Sequence, residues 1–458
     1  MNMMAKWLDG ARFPDLVNSL LSAQLTRAAA WVVLSTGTLQ LFNLFAAIVT
    51  ARLLGKTHFG ELAMLQSTLG MFGVFAGLGL GITTVKFVAE FKRTDPDRSG
   101  RIIGLLLLSG VLFGVVCALF LVACAPNMAA RVLSASALAS DLRLGAGLVV
   151  FNTLNGVQLG AFTGLEAYRS AAYVNLVRGL VCMPVLIVPV AVWQLPGAVC
   201  GLVAAAGLGC LLNQLALHRV CRAANITIRY SGLRSDLRVL WSFSVPAFLG
   251  MAMTSPVTWI GNTMLVQLPG GYAEMGLFNA ANHWRSALAT LPGLVAQPVL
   301  PVLSHLHAVG DLRQHRRVLL STLKLISLLV AGLALPVFLL APVIMSAYGP
   351  DYRRGASVLV VLALTAVLSA CCSVIGQSIA SAGRMWHGLL LNCIWACAFL
   401  LAAQFSVARW GALGLAVALL SSYLVHAITT AVYSAFVFMN RETGRTTQHQ
   451  DDHANVSA

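Results

Sequence analysis

Between residues 274 and 299 of this 458-residue chain, polar side chains recur at the spacing of one helix face. At about 100° per residue, Asn279, Asn282, His283, Arg285, Ser286, Thr290 and Gln297 fall within an arc of about 160°. Trp284, Ala287, Leu288, Leu291 and Val295 fill the opposite arc. The polar set holds amides, hydroxyls, an imidazole and a guanidinium. That set suits recognition: a guanidinium meets phosphate oxygens in a bidentate fork, and amides meet hydroxyls. Two further stretches offer amides at the same spacing, Gln40 and Asn43 with Thr36 and Thr50, and Asn262 with Thr254, Ser255 and Thr258. For these, hydrogen bonding between helices is the plainer reading.

Acids are missing from this pattern. All fifteen Asp and Glu residues fall in loops, tails or the ends of apolar runs. A cation/drug antiporter needs a buried carboxylate to hold its coupling ion, and none is available. Arginine and amides without an acid favour an anionic guest rich in hydroxyls, such as phosphate on a sugar-bearing lipid. Lys86, Arg27 and Arg178, near the ends of other apolar runs, could help admit such a head group or could simply set orientation. The ten cysteines lie mainly inside apolar runs, with no CxxC and no ligand-spaced Cys/His set. No metal site and no cofactor are expected.

The elements that position these residues follow from composition. Hydrophobic residues make up 58% of the chain and charged residues 10%, with a mean hydropathy of +0.82. A soluble domain carries about 25% charged residues, so this chain belongs in a bilayer. Apolar runs of about 20 residues, enough to span as helices, recur throughout, and no barrel-like alternation competes with them. The predicted spans are 27–50, 61–84, 102–125, 144–164, 171–193 and 197–218, then 240–266, 274–299, 319–345, 357–380, 387–407 and 411–438. No cleavable leader precedes the first. Lysines and arginines divide 22 to 7 between the two sides, with Arg285 as the one assigned to membrane depth, which accounts for all 30. Loops on the richer side are cytoplasmic by the positive-inside rule, and both termini fall there. The net charge of +15 is thus an orientation signal, not a nucleic-acid footprint.

The chain also repeats. Gly55 pairs with Gly271, Gly60 with Gly276, Asp95 with Asp311 and Arg101 with Arg317 at an offset of 216, and Asn175 with Asn392 at 217. Six spans per half is an even number, so the halves enter the membrane in parallel. The expected fold is all-α, with twelve transmembrane helices in two parallel six-helix repeats. The lobes are 1–222 and 223–440, followed by a disordered cytoplasmic tail, 441–458. Gly73, Gly77 and Gly81 read as a face for close helix packing, or alternatively as one that slides during a conformational change.

At this point the chain resembles a known family. Ala51-Arg52-Leu53-Leu54-Gly55 with Phe59-Gly60, Gly77-Leu78-Gly79, and Val85 to Glu90 are similar to polysaccharide-biosynthesis membrane proteins. So are Met275 to Ala281, Pro301-Val302-Leu303-Ser304 and Gly310-Asp311. These are the lipid-linked oligosaccharide flippases, O-antigen flippases among them, of the multidrug/oligosaccharidyl-lipid/polysaccharide superfamily, whose fold is shared with MATE transporters. The resemblance implies alternating access and a cationic central cavity. It implies passage of an undecaprenyl-pyrophosphate-linked glycan across the inner membrane, with membrane lipids and a polysaccharide polymerase as further partners. A multidrug antiporter remains the first alternative. A glycan polymerase or ligase is the second, and short outer loops weigh against it.

Overall fold

The computed structural model describes residues 23–245, 248, 252–296, 299–309, 311–382 and 385–456, with side chains from residue 36 to 434. Among the described residues there is no strand. The first half holds α1 (Ala23–Gly77), α2 (Leu80–Phe91), α3 (Pro96–Asn127), α4 (Leu138–Gly164) and α5 (Tyr168–Ala223). The second holds α6 (Thr254–Val266), α7 (Gly271–Ala296), α8 (Val299–Val309), α9 (Leu312–Leu339), α10 (Ala341–Tyr348), α11 (Ala356–Ser381) and α12 (Met385–Val456). Three helices each hold two expected spans, broken at Gly55 in α1, Gln194 in α5 and Gly411 in α12.

Six of the helices are long and apolar enough to cross a bilayer. Their outward faces are apolar: Leu108, Leu112 and Leu119 on α3, and Leu328, Leu335 and Leu339 on α9, are all at least half exposed. An apolar belt of that kind faces lipid. The expected spans 144–164 and 274–299 are not among the six, because polar side chains dilute their hydropathy. In α4, Asn155 and Gln158 are buried and bonded to α5, where Asn213 donates to Asn155 Oδ1 (2.9 Å) and Gln158 donates to Gln214 Oε1 (2.9 Å). The span 240–266 passes through residues outside those described.

The duplication recurs in the backbone. Asp95 accepts from the Arg98 amide and starts α3, and Asp311 accepts from the Gln314 amide and starts α9, each at 2.9 Å. Gln194 (φ 51°, ψ −124°) and Gly411 (φ 53°, ψ −125°) share one rare conformation, 217 residues apart. One pairing shifts. Gly55 (φ 70°) has its conformational mate in Gly270 (φ 72°), not Gly271, because the turn needs left-handed backbone and residue identity alone does not report which glycine supplies it.

One other expectation is corrected in part. Of the three spaced glycines, Gly81 packs closely, a Cβ there lying 3.0 Å from the Gly156 carbonyl oxygen, but a Cβ built on Gly73 or Gly77 would meet nothing within 4 Å. The helix instead breaks just beyond them, where Leu78 (φ 40°) and Gly79 (φ 70°) are left-handed. The hydrophilic stretch from 441 to 456 is drawn as a continuation of α12. It holds no proline and one glycine, so nothing in it interrupts the helical hydrogen bonds.

The segment joining the halves is bound to the first of them. Arg229 donates its amide to the Gly100 carbonyl (3.3 Å). Gly100 and Gly104 of α3 abut the carbonyls of Thr227 and Arg229 so closely that neither position has room for a Cβ. Asp236, 2% exposed, is 3.0 Å from Arg98 Nε and 3.6 Å from Arg101 Nε. Breaking a buried ion pair costs about 3–5 kcal/mol, and the partial exposure of both arginines lowers that to about 2 kcal/mol. Asp236→Ala is therefore expected to lower stability by about 2 kcal/mol, read as a lower melting temperature of the purified chain in detergent.

Candidate functional site

The polar face of α7 opens into a cavity of about 310 Å³ near the middle of the bundle. From α7 it receives Asn279, Asn282 and Arg285; from α6, Thr254, Thr258 and Asn262. α1 adds Gln66 and Ser67, and α12 adds Trp395 and Tyr423. The duplication explains part of this lining. Ala63 and Gln66 are the repeat mates of Asn279 and Asn282 at the offset of 216 and line the same space. The mate of Arg285 is Leu69, which is buried in a separate apolar cluster. The cation therefore belongs to one half only.

Arg285 is held without being neutralised. Its Nε donates to Asn282 Oδ1 at 2.7 Å, and no carboxylate lines the cavity. The other ion pairs of the described residues, including Lys92–Glu166 and Arg229–Asp97, lie elsewhere. Asn262 is fixed by donating to Ser67 Oγ (2.9 Å), and Trp259 Nε1 donates to Thr68 Oγ1 (3.0 Å). These bonds tie α6 to α1 across the two halves. An amide accepts from a guanidinium but adds no charge, so the remaining donors of the Arg285 fork keep their full attraction for an anion.

The other candidates scatter. His283 stands 3.5 Å from Asn279 Nδ2 and 6.3 Å from the Phe59 ring, behind the cavity wall. Gln40 lines a second, mostly apolar groove of about 440 Å³ between α1 and α7, with Leu41, Trp284, Leu288 and Val337. Asn43 is exposed and lines neither space. Lys86 Nζ lies 4.1 Å from the Phe243 ring centroid and 5.0 Å from that of Phe87, at one end of the bundle. Arg178 is packed inside the first half, where a Cβ on Gly209 would crowd its guanidinium. The Arg27 side chain lies outside those described. Among the described residues no three His, Cys, Asp or Glu side chains cluster as a metal site, and all ten cysteines are free.

An all-helical membrane bundle around a polar cavity between duplicated halves is the architecture of a transporter. The comparisons with known proteins agree. A family model for polysaccharide biosynthesis proteins matches residues 25–307, and the chain belongs to that family. It is 26% identical over 420 residues to the EPS I polysaccharide export inner membrane protein EpsE of Ralstonia nicotianae (strain ATCC BAA-1114 / GMI1000), covering 90% of this chain and 93% of that one. Among solved structures, it matches the inward-facing conformation of a multidrug resistance MATE family transporter of the MOP superfamily with a TM-score of 0.75. The identity there is 16%, over 88% of this chain and 96% of the other. It matches lipid II flippase MurJ in an inward closed conformation with a TM-score of 0.69 and 11% identity, over 88% and 87% of the two chains. The protein is thus a multi-pass membrane protein of the polysaccharide biosynthesis family, with the fold of these transporters.

Four lining residues that carry a polar group were not singled out by sequence: Gln66, Ser67, Trp395 and Tyr423. Gln66-Ser67 is a polar pair within an apolar run and carried a signal. Trp395 sits in a span with no polar period and carried none, whereas Tyr423 shares a helical arc with Ser422, His426, Thr429, Thr430 and Tyr433, a signal that could have found it. The geometry makes Asn282 the residue that keeps the arginine charged but partnered. Asn282→Asp changes almost no volume and sets a carboxylate against the guanidinium. Transport is expected to fall at least tenfold, the effect of about 1.4 kcal/mol, while Asn282→Gln is expected to retain more activity. Surface polysaccharide yield in a strain lacking the native gene reads both.

Proposed function

We propose that this protein is a flippase for an undecaprenyl-pyrophosphate-linked oligosaccharide, carrying it from the cytoplasmic to the outer leaflet by alternating access. The observation that carries the reading is Arg285, which lines a central cavity with an amide partner and no carboxylate there. A pyrophosphate cannot enter hydrocarbon without a large loss of hydration. A guanidinium in a polar cavity replaces part of that hydration, and Asn279, Gln66 and Asn262 offer bonds to sugar hydroxyls. Membership of the polysaccharide biosynthesis family and likeness to a polysaccharide export protein support the same cargo class. In this reading both termini are cytoplasmic, 1–222 and 223–440 are the two rocking lobes, and a polysaccharide polymerase receives the product. The MATE-like fold also accommodates a drug antiporter, but the cavity lacks an acid to attract a cationic drug.

Arg285→Ala is expected to abolish surface polysaccharide while protein level in the membrane stays normal. Arg285→Lys is expected to restore part of it, since lysine keeps the charge but not the fork. Surface polysaccharide measured by immunoblot, beside the membrane protein level, checks both; normal polysaccharide in Arg285→Ala would remove this site from transport. Resistance to cationic drugs gained by an efflux-deficient host would favour the antiporter instead.

A further inference from the structure

We infer that Trp395 and Tyr423 of α12 complete an oxyanion subsite with Arg285, which rests on the reading above that the cavity receives the lipid-linked head group. Trp395 lines the cavity, is 4% exposed, and its indole nitrogen has no hydrogen-bond partner. An indole N–H can only donate, so what it lacks is an acceptor. The ring cannot easily turn to find one elsewhere: it stacks on Phe399 at 5.9 Å and 7°, and packs on Tyr423 at 5.7 Å. The Tyr423 ring borders the same space as Arg285. Three donor-bearing side chains thus line one cavity with no carboxylate, the indole N–H itself shut off from open space, and a compact oxyanion drawn between the rings supplies acceptors to the donors that Asn282 leaves unbonded. Phosphate on an isoprenoid and the carboxylate of an acidic sugar share that chemistry.

Binding of farnesyl diphosphate to the full chain in detergent, followed by calorimetry, tests this, with glucuronate as competitor. Tyr423→Phe and Trp395→Phe are each expected to weaken diphosphate binding roughly fivefold, the worth of one hydrogen bond of about 1 kcal/mol. Arg285→Ala is expected to remove it. Competition by glucuronate would assign the subsite to a sugar carboxylate, and its absence to phosphate. Unchanged binding in both aromatic variants, with loss in Arg285→Ala, would overturn the subsite and leave the flippase reading standing. Diphosphate binding that survives Arg285→Ala would overturn that reading itself. Tyr423→Phe removes one oxygen only, so its outcome holds even if Trp395→Phe folds poorly.

A separate observation points to the outer seal of the cavity. A Cβ on Gly60 would fall onto the carbonyl oxygen of Tyr272, and a Cβ on Gly276 onto that of Lys56. These are one contact written twice, since 56 and 60 become 272 and 276 at the offset of 216. A second doubled pair flanks it: Arg52 Nε donates to the Ala347 carbonyl (2.6 Å) and Gln267 Nε2 to the Val132 carbonyl (2.9 Å), both related by 215. Tyr272 Oη adds a bond to the Leu133 carbonyl at 2.7 Å. We propose that this backbone-to-backbone crossing, on the side that charge assigns to the outside, is the seal that must part for cargo to leave.

Any side chain at 60 or 276 would wedge the crossing open. In the variant Ser67→Cys, whose reporter lines the cavity, a membrane-impermeant maleimide added from outside is expected to label that position poorly. Adding Gly60→Ala or Gly276→Ala is expected to raise labelling several-fold. Gly70→Ala, whose Cβ would meet nothing within 4 Å, is expected to leave it unchanged. Labelling that stays low in both wedge variants at normal membrane levels would overturn the seal. Should the wedges not accumulate, Gln267→Cys with Val132→Cys, joined by a short reducible bis-thiol reagent, decides the matter. Transport is expected to stop and to return on reduction; transport that continues through the cross-link would overturn the proposal.

Discussion

A guanidinium inside a membrane bundle, held by an amide and left un-neutralised by any acid in its cavity, is the constraint to which the surrounding structure answers. Charge–charge energies rise as the dielectric falls, so an arginine there must find a counter-charge, water or a ligand. A carboxylate would have satisfied it permanently. Asn282 satisfies only its direction: the Nε bond at 2.7 Å orients the fork while leaving its charge unspent. The walls around it are uncharged, with Gln66, Ser67, Asn262 and Tyr423 set among apolar side chains such as Met275 and Leu419. Such a site is unstable to lipid and stable to water or an anion.

The bundle is assembled without the hydrophobic drive that builds soluble cores, because lipid is as apolar as leucine. Close backbone approach and interhelical hydrogen bonds replace it. Gly100 and Gly104 let the connecting segment lie against α3. Asn155, Gln158, Asn213 and Gln214 bond α4 to α5 deep in the first half. The same device serves between halves, where Gly60 and Gly276 bring α1 and α7 into backbone contact and Phe59 meets Tyr352 at 6.3 Å. A joint made from a few directional contacts, rather than a broad apolar face, can part and reform without exposing large apolar area to water.

Duplication and specialisation are both visible at the cavity. Ala63 and Gln66 face it from one half as Asn279 and Asn282 do from the other. Yet Arg285 has only a buried leucine as its mate, and the aromatic lining comes from α7 and α12. The second half thus carries the cation and the aromatic side chains of the cavity. The first half supplies hydroxyl and amide walls, and holds the segment that connects the two through Asp236.

Much of the fold was legible in the chain itself. Hydropathy and charge placed the helices, because a bilayer imposes length and forbids unpaired backbone, and matched residues such as Asp95 and Asp311 exposed the repeat. Part of the polar face of 274–299 was legible too, since such side chains cannot be turned to lipid: Asn279, Asn282 and Arg285 reach the cavity, Thr290 lines the apolar groove, and Gln297 lies outside the described residues. What a helical period cannot say is which other helix a face meets. Gln40, Asn43 and Arg178 looked equivalent to Asn262 as cavity candidates, and only packing sent Asn262 to the cavity, Gln40 to an apolar groove and Arg178 into the first half. Trp395 had no period to betray it, being a single polar atom on an apolar ring, while Tyr423 lay on a polar arc with Ser422, His426 and Thr430 whose direction only packing revealed. Gly73 and Gly77 had the spacing for packing without a partner within reach, while Gly60 and Gly276 found one in each other's helices. Spacing along one helix is a property of the chain; convergence between helices far apart in sequence arises only when the chain is folded.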